Sequence, residues 1–193
     1  MAKIKVTETN LIDVKIIEPA VFGDHRGFFT ESYSKEAFSE VGITFDFVQD
    51  NHSLSVEAGV IRGLHFQKSE AAQTKLIRVV SGAVLDVIVD IRKGSPTYGK
   101  SEGYILSADN QRQLLVPKGF AHGFVTLTPN VNFLYKCDNY YNAEADAGIA
   151  FDDPALGIDW PLDLSKAILS EKDKQHPTLA SFEKENPFVY GTI

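Results

Sequence analysis

The sequence predicts an all-β fold, a sandwich or barrel, on three observations. Apolar or alternating runs of strand length recur along the chain, turn chemistry separates them, and helical periodicity is scarce. The expected strands are 14–17, 28–33, 45–49, 60–66, 76–80, 84–91, 103–106, 113–116, 123–127 and 131–137. Between them lie Ser81-Gly82, Lys93-Gly94-Ser95-Pro96, Asp109-Asn110, Pro117-Lys118-Gly119 and Pro129-Asn130, all of them turn formers. Many short strands spaced by turns favour a sandwich or barrel over a parallel α/β sheet.

The clearest strand is 84–91, where Leu85, Val87, Val89 and Ile91 share one face, and Asp86 and Asp90 share the other with Val84 and Ile88. Segment 34–42 is a two-turn helix with Ser34 as N-cap candidate and Gly42 at its end. A second short helix is expected over 170–176, stopped by Pro177. The turn-rich stretch 153–161 marks where the barrel ends and a C-terminal segment packs back on it. With no repeats or linker, residues 1–193 read as a single domain, with about 160–193 forming that segment.

Composition excludes several classes. Hydrophobic residues at 44% and charged residues at 23% rule out disorder as the main state. A net charge of −7 argues against a sequence-independent nucleic-acid binder, which needs a basic surface. The single cysteine, Cys137, excludes an internal disulfide framework and a cysteine-based zinc site. No apolar run approaches the roughly 20 residues of a membrane-spanning helix. The first residues lack the apolar core of a secretion signal, so a cytoplasmic location is expected.

Two motif matches carry no chemistry. Gly94-Ser-Pro-Thr-Tyr-Gly99-Lys100-Ser101 fits the P-loop pattern, but Glu102-Gly103-Tyr104-Ile105-Leu106 continues as a strand rather than the helix that loop requires. Pro96 also removes a donor from the would-be phosphate cradle, so the segment reads as a turn. Asn51-His52-Ser53 is a glycosylation sequon in a chain without a secretion signal. The five histidines, His25, His52, His65, His122 and His176, include no pair two or four apart, so the sequence gives a metal site no support.

The informative constellation is Arg62-Gly63-Leu64-His65-Phe66-Gln67, with Lys75 and Tyr135 on other strands. A barrel interior lined with such cations is costly to build without a ligand. Strict alternation puts Arg62 and His65 on opposite faces, so a shared site needs a bulge, for which Gly63 is the natural place, or contributions from two subunits. On the residues alone, His52 reads as a turn or core histidine, and His122 stands evenly between a core role and ligand contact. Unaided, Asp173 reads as a solvated charge beside Lys172 and Lys174, and Tyr135 as a buried aromatic beside Phe133.

Several of these segments carry a resemblance. They are Asp24-His-Arg-Gly-Phe-Phe-Thr-Glu31, Gln49-Asp-Asn-His-Ser53, Gly59-Val-Ile-Arg-Gly-Leu-His-Phe-Gln67, Gln73-Thr-Lys-Leu76 and Asp86-Val-Ile-Val-Asp-Ile-Arg92. Ser95-Pro-Thr-Tyr-Gly99, Pro117-Lys-Gly-Phe-Ala-His-Gly-Phe124, Tyr135-Lys136 and Leu169-Ser-Glu-Lys-Asp173 follow in order. The ordered series resembles the dTDP-4-dehydrorhamnose 3,5-epimerase family, nucleotide-sugar enzymes with a cupin-type jelly-roll fold.

The resemblance implies an isomerase without metal or cofactor, acting on a thymidine diphosphate sugar whose C4 ketone acidifies C3 and C5. It assigns His65 as base, Asp173 as its carboxylate partner, Tyr135 as acid and Lys75 as the cation near the enolate oxygen. By the same matching, Arg62 and a neighbouring subunit's Arg26 would meet the diphosphate. Phe29, Glu31, Gln49, Asn51 and Tyr141 would contact nucleotide or sugar, and His122 would lie near the sugar. A homodimer with exchanged N-terminal strands is implied, with neither nucleic acid nor membrane as partner. The alternatives are an epimerase of one carbon or of a neighbouring nucleotide sugar, a non-catalytic nucleotide-sugar-binding cupin, and a metal-dependent cupin oxygenase.

Overall fold

The computed structural model describes residues 4–192; Met1–Lys3 and Ile193, including the first residues of the leader reading, lie outside it. Thirteen strands form two main antiparallel sheets and one separate hairpin. The six-stranded sheet runs β1 (Ile4–Glu8), β2 (Lys15–Pro19), β10 (Gln113–Val116), β7 (Lys75–Ser81), β12 (Val131–Cys137) and β5 (Gln49–Ser55). The five-stranded sheet runs β13 (Asp146–Gly148), β6 (Ile61–Gln67), β11 (Phe120–Thr126), β8 (Ala83–Asp90) and β9 (Ser101–Ser107). They face each other as the two walls of a cupin-type jelly roll, and no ladder among the described residues closes them into a continuous barrel. The hairpin of β3 (Val21–Asp24) and β4 (Gly27–Thr30) projects from these walls with every residue but Thr30 exposed.

Three apolar clusters hold the layers together. Ile77, Val79, Leu114, Phe133, Val84, Ile88, Leu106 and Phe124 fill the space between the sheets. On the outer face of the five-stranded sheet, Val87, Val89, Ile91 and Ala121 meet Phe151, Leu156, Trp160, Phe182 and Phe188. Strand 84–91 therefore divides as its alternation predicts, one face to each cluster. Each buried aromatic in the C-terminal segment contributes about 1.5–3 kcal/mol, so the segment is a fixed layer of the fold. On the outer face of the six-stranded sheet, α1 (Lys35–Glu40) seats Phe38 against Ile17, Leu76 and Leu115. Ser34 caps α1, its hydroxyl accepting from the Ala37 N–H at 3.3 Å.

Several expectations need correction. Strands β1, β3 and β13 are absent from the sequence reading, being short and partly polar. Segment 45–48 is not a strand; Phe45 and Phe47 pack beside α1, and the strand lies instead at Gln49–Ser55. The helix expected over 170–176 reduces to a 3₁₀ turn at Asp173–Gln175, and the second helix, α2 (Leu179–Phe182), starts beyond Pro177 with Thr178 as its cap. The P-loop look-alike is a turn as expected: Ser95 and Thr97 hydroxyls both donate to Asp90 Oδ2 at 2.6 Å.

The bulge falls at Gly63. His122 stands opposite His65 and Phe124 opposite Arg62, so β6 advances three residues while β11 advances two. Gly63 has φ +130°, and a Cβ there would lie 2.5 Å from Gly123 Cα and 2.9 Å from the His122 carbonyl oxygen. Only a bare backbone fits. Replacing Gly63 with Ala should therefore destabilise the protein by about 2 kcal/mol or more, lowering the unfolding midpoint by roughly 4–8 °C. Gly23→Ala, whose added carbon would meet its nearest neighbour at 3.6 Å, should be nearly silent in the same thermal melt.

Candidate active site

Between the sheets lies a cavity of about 620 Å³, reached from the end where β5, β12 and β7 face β6 and β11. The bulge brings Arg62 and His65 onto its wall together, which strict alternation forbids. Asn51 on β5 stands opposite Tyr135 on β12, and Lys75 on β7 stands opposite Cys137, which fixes the facing wall. His122 enters from β11 directly across the ladder from His65. Asp173 arrives from the C-terminal segment, and Tyr141 stands exposed at the rim.

His65 and Asp173 form a short side-chain contact on the cavity, Nε2 to Oδ1 at 2.5 Å. Asp173 is 4% exposed and His65 33%. Burial works to raise the Asp173 carboxyl, but the hydrogen bond and charge of His65, with help from Ser170 and the Gly63 backbone, hold it below the usual range. An ionised carboxylate accepting from Nε2–H orients the ring and leaves Nδ1 as its free nitrogen.

His122 repeats the pattern deeper in the cavity, with Nε2 2.9 Å and 3.1 Å from the two oxygens of Asp86. Burial pushes His122 down, favouring a neutral imidazole whose Nε2–H is shared between them; burial also pushes Asp86 up, against the opposing pull of His122.

Lys75 has no ion-pair partner among the described residues. Its ammonium lies 5.7 Å from the Tyr135 ring centroid. Desolvation lowers its pKa, with Cys137, Asp86 and Asp146 acting the other way. Tyr135 is pushed up to about 12, by burial first and then by Cys137 and Asp146, so it stays a proton donor across the neutral range. Arg62 donates from Nε to Ser55 Oγ and from Nη2 to the Leu54 carbonyl, both at 3.2 Å, which props its guanidinium at the rim.

The structure thus gathers His65, Asp173, Tyr135, Lys75, Arg62, His122, Asn51 and Tyr141 around one cavity. It does not bring Arg26, Phe29, Glu31 or Gln49 to that wall within one chain. Arg26 pairs with Asp24 at 2.5 Å on the hairpin, Phe29 is 69% exposed, and Glu31 follows in the open. Gln49 accepts from the Tyr141 N–H at 3.0 Å and so braces a rim residue.

Asp86, Asp146 and Lys172 were missed as site residues. Asp86 had a readable signal, an acid in the middle of an apolar strand; the others lie in polar stretches without one. Asp146 accepts from Tyr141 Oη at 3.1 Å and also pairs with Lys172. His176, outside the cavity lining, stands edge-on to His65 with ring centroids 5.5 Å apart.

Fold and cavity together define a cupin-type protein equipped for proton transfer, a His–Asp pair on one cavity with a tyrosine that keeps its proton. The family model for dTDP-4-dehydrorhamnose 3,5-epimerase matches residues 8–181. A relative of that name from Salmonella typhimurium is 53% identical over 175 residues, covering 90% of this chain and 94% of the relative. The crystal structure of the Bacillus anthracis dTDP-4-dehydrorhamnose 3,5-epimerase with TDP and PPi bound is 58% identical, with a TM-score of 0.88 over 91% of this chain and 99% of that one. The Legionella pneumophila dTDP-6-deoxy-D-glucose-3,5-epimerase in complex with dTDP-4-keto-L-rhamnose is 47% identical, with a TM-score of 0.92 over 97% and 99%. The chain belongs to the dTDP-4-dehydrorhamnose 3,5-epimerase family.

The half-buried Lys75 makes the site costly for the fold. Its folded pKa is depressed, so folding is disfavoured wherever the unfolded lysine is protonated, and that penalty fades as pH rises through the depressed value. Lys75→Met should accordingly unfold later at neutral pH, by about 1 kcal/mol. The gap should close as the pH approaches the ordinary lysine range, which thermal melts across pH would read.

Proposed function

We propose that this protein converts dTDP-4-dehydro-6-deoxy-D-glucose to dTDP-4-dehydro-L-rhamnose by moving protons at C3 and C5. The observation that carries the reading is the His65–Asp173 pair on the cavity that Tyr135 also lines. The C4 ketone acidifies both neighbouring carbons, so the chemistry calls for no redox cofactor.

His65 Nδ1 takes the proton, and Asp173 stabilises the imidazolium that results. Negative charge then develops on the C4 oxygen, where Lys75, a cavity cation without an ion-pair partner, stabilises it, with His122 on the opposite wall. Inversion requires a proton returned from the other face of the ring. Tyr135 supplies it, because an enolate carbon is far more basic than even a phenolate with its pKa near 12. Arg62 at the rim meets the diphosphate, and the exposed ring of Tyr141 suits the thymine.

The hairpin completes the site from a second copy. Its Val21, Phe22, Phe28 and Phe29 are 44%, 56%, 60% and 69% exposed, an apolar surface that a homodimer would cover while delivering Arg26, Phe29 and Glu31 to the neighbouring cavity. Phe22→Ser with Phe28→Ser should shift the sedimenting mass from dimer towards monomer and lower activity with it. A nucleotide-sugar substrate fits an enzyme of the cytoplasm.

The deciding experiment is proton NMR of the purified protein with the 4-keto substrate in D₂O. Deuterium at C3 and C5 supports the reading; label at one carbon indicates a single-position epimerase; no label indicates a binding protein. Three variants separate the roles. Tyr135→Phe should still wash deuterium into the substrate with retained configuration, while net epimerisation falls by about 10²- to 10⁴-fold. His65→Ala should lose exchange and epimerisation together. Asp173→Asn should lower turnover strongly with dTDP affinity nearly intact. Equal loss of exchange and epimerisation in Tyr135→Phe would remove it as the acid.

A further inference from the structure

His176 is the group the proposed reaction leaves unused. Its side chain is 9% exposed, and Nε2 is buried with no hydrogen-bond partner. A buried polar atom left unpaired is costly, so a ligand that pairs it would be favoured. It lies 3.6 Å from Asp173 Oδ1, the same oxygen that His65 Nε2 meets at 2.5 Å. The ring is wedged in place: it stands edge-on to His65 with centroids 5.5 Å apart, and a Cβ on Gly148, the residue paired with His65 across the β13–β6 ladder, would lie 2.6 Å from His176 Nε2.

One donor atom from each of His65, Asp173 and His176 lies within 4.8 Å of the other two. Two imidazoles and a carboxylate form the donor set of open zinc sites, in which ligand atoms about 2.0–2.2 Å from the metal stand roughly 3.3 Å apart. The observed spacings, 2.5 Å and 3.6 Å, straddle that value, so small side-chain rotations would bring the donors into position. His65 is exposed enough to admit the ion from the cavity, and water can take the fourth position.

We propose that His65, Asp173 and His176 form a zinc-binding site, and that the bound ion switches proton transfer off. Occupancy depends on the three donors alone, whereas its effect on turnover rests on His65 being the base, as read above. To ligate through Nε2, a neutral His65 must carry its proton on Nδ1. That turns the nitrogen facing the substrate from an acceptor into a donor. Asp173 is spent on the metal at the same time. Arg62 and Tyr141 are untouched, so dTDP binds as before and turnover stops.

The test is titration of chelator-treated protein with Zn²⁺ in competition with a chromophoric chelator, with Co²⁺ absorption as a report on geometry. The expected result is one Zn²⁺ per chain, a tetrahedral Co²⁺ spectrum, no response to Mg²⁺, which prefers oxygen ligands, and loss of deuterium exchange reversed by chelator. His176→Phe keeps a ring over Gly148 but has no donor; it should bind zinc on the order of 100-fold more weakly while turning over substrate within a few-fold of the parent. His176→Gln, and His65→Asn for binding alone, serve if that variant folds poorly. Substoichiometric zinc, or undiminished affinity in these variants, overturns the site. Full exchange activity in the zinc-loaded protein overturns the switch. A metal-free protein that never exchanges deuterium counts against the proposed function, while the zinc titration remains readable.

Discussion

The close passage of Gly63 over Gly123 is the constraint on which the site depends. Without it, β6 would alternate regularly and Arg62 would turn away from the cavity that His65 faces. With it, one extra residue in β6 moves Arg62 back onto the cavity wall while the ladder to β11 continues on either side. The contact tolerates no side chain on either strand, since a Cβ on Gly123 would in turn lie 2.7 Å from the Arg62 carbonyl oxygen. Two glycines on adjacent strands therefore set the geometry of groups that are themselves neither glycine nor adjacent.

Around that bulge the protein accepts a polar interior that a stability argument alone would reject. The space between the sheets is filled at one end by Ile77, Leu114, Val84 and Leu106, and at the other by Lys75, Asp86, His122 and Tyr135. Phe133 and Phe124, stacked at 4.1 Å, lie at the boundary, and Phe133 also stacks on the His122 ring at 6.0 Å. The apolar half supplies the cohesion, and the polar half is held open by it.

Much of this was legible in the sequence. Strands β10 and β12 coincide with the expected segments, and the bulge at Gly63 follows from asking how Arg62 and His65 could share a face. Short edge strands such as β1 and β13 carry too few apolar residues to announce themselves, and β5 hid behind the polar run Gln49-Asp50-Asn51-His52-Ser53 because one of its faces lines a wet cavity. Asp173 illustrates the limit. Flanked by Lys172 and Lys174, it looks like a solvated charge, and only family resemblance marked it; no local pattern reveals that a residue 108 positions from His65 ends within hydrogen-bond reach of it. The trio with His176 was invisible for the same reason, since metal-ligand spacing rules look along one element and these donors come from two.

The C-terminal layer has a consequence for synthesis. Both sheets are complete once β13 has formed at Asp146–Gly148, but Asp173 and the aromatic residues that fasten its segment come afterwards. A nascent chain emerging from the ribosome can therefore assemble the walls and His65 before Asp173, its hydrogen-bond partner, exists. The complete pair arrives only after the walls. A chain truncated before Asp173 would be an empty vessel, its His65 without a carboxylate beside it.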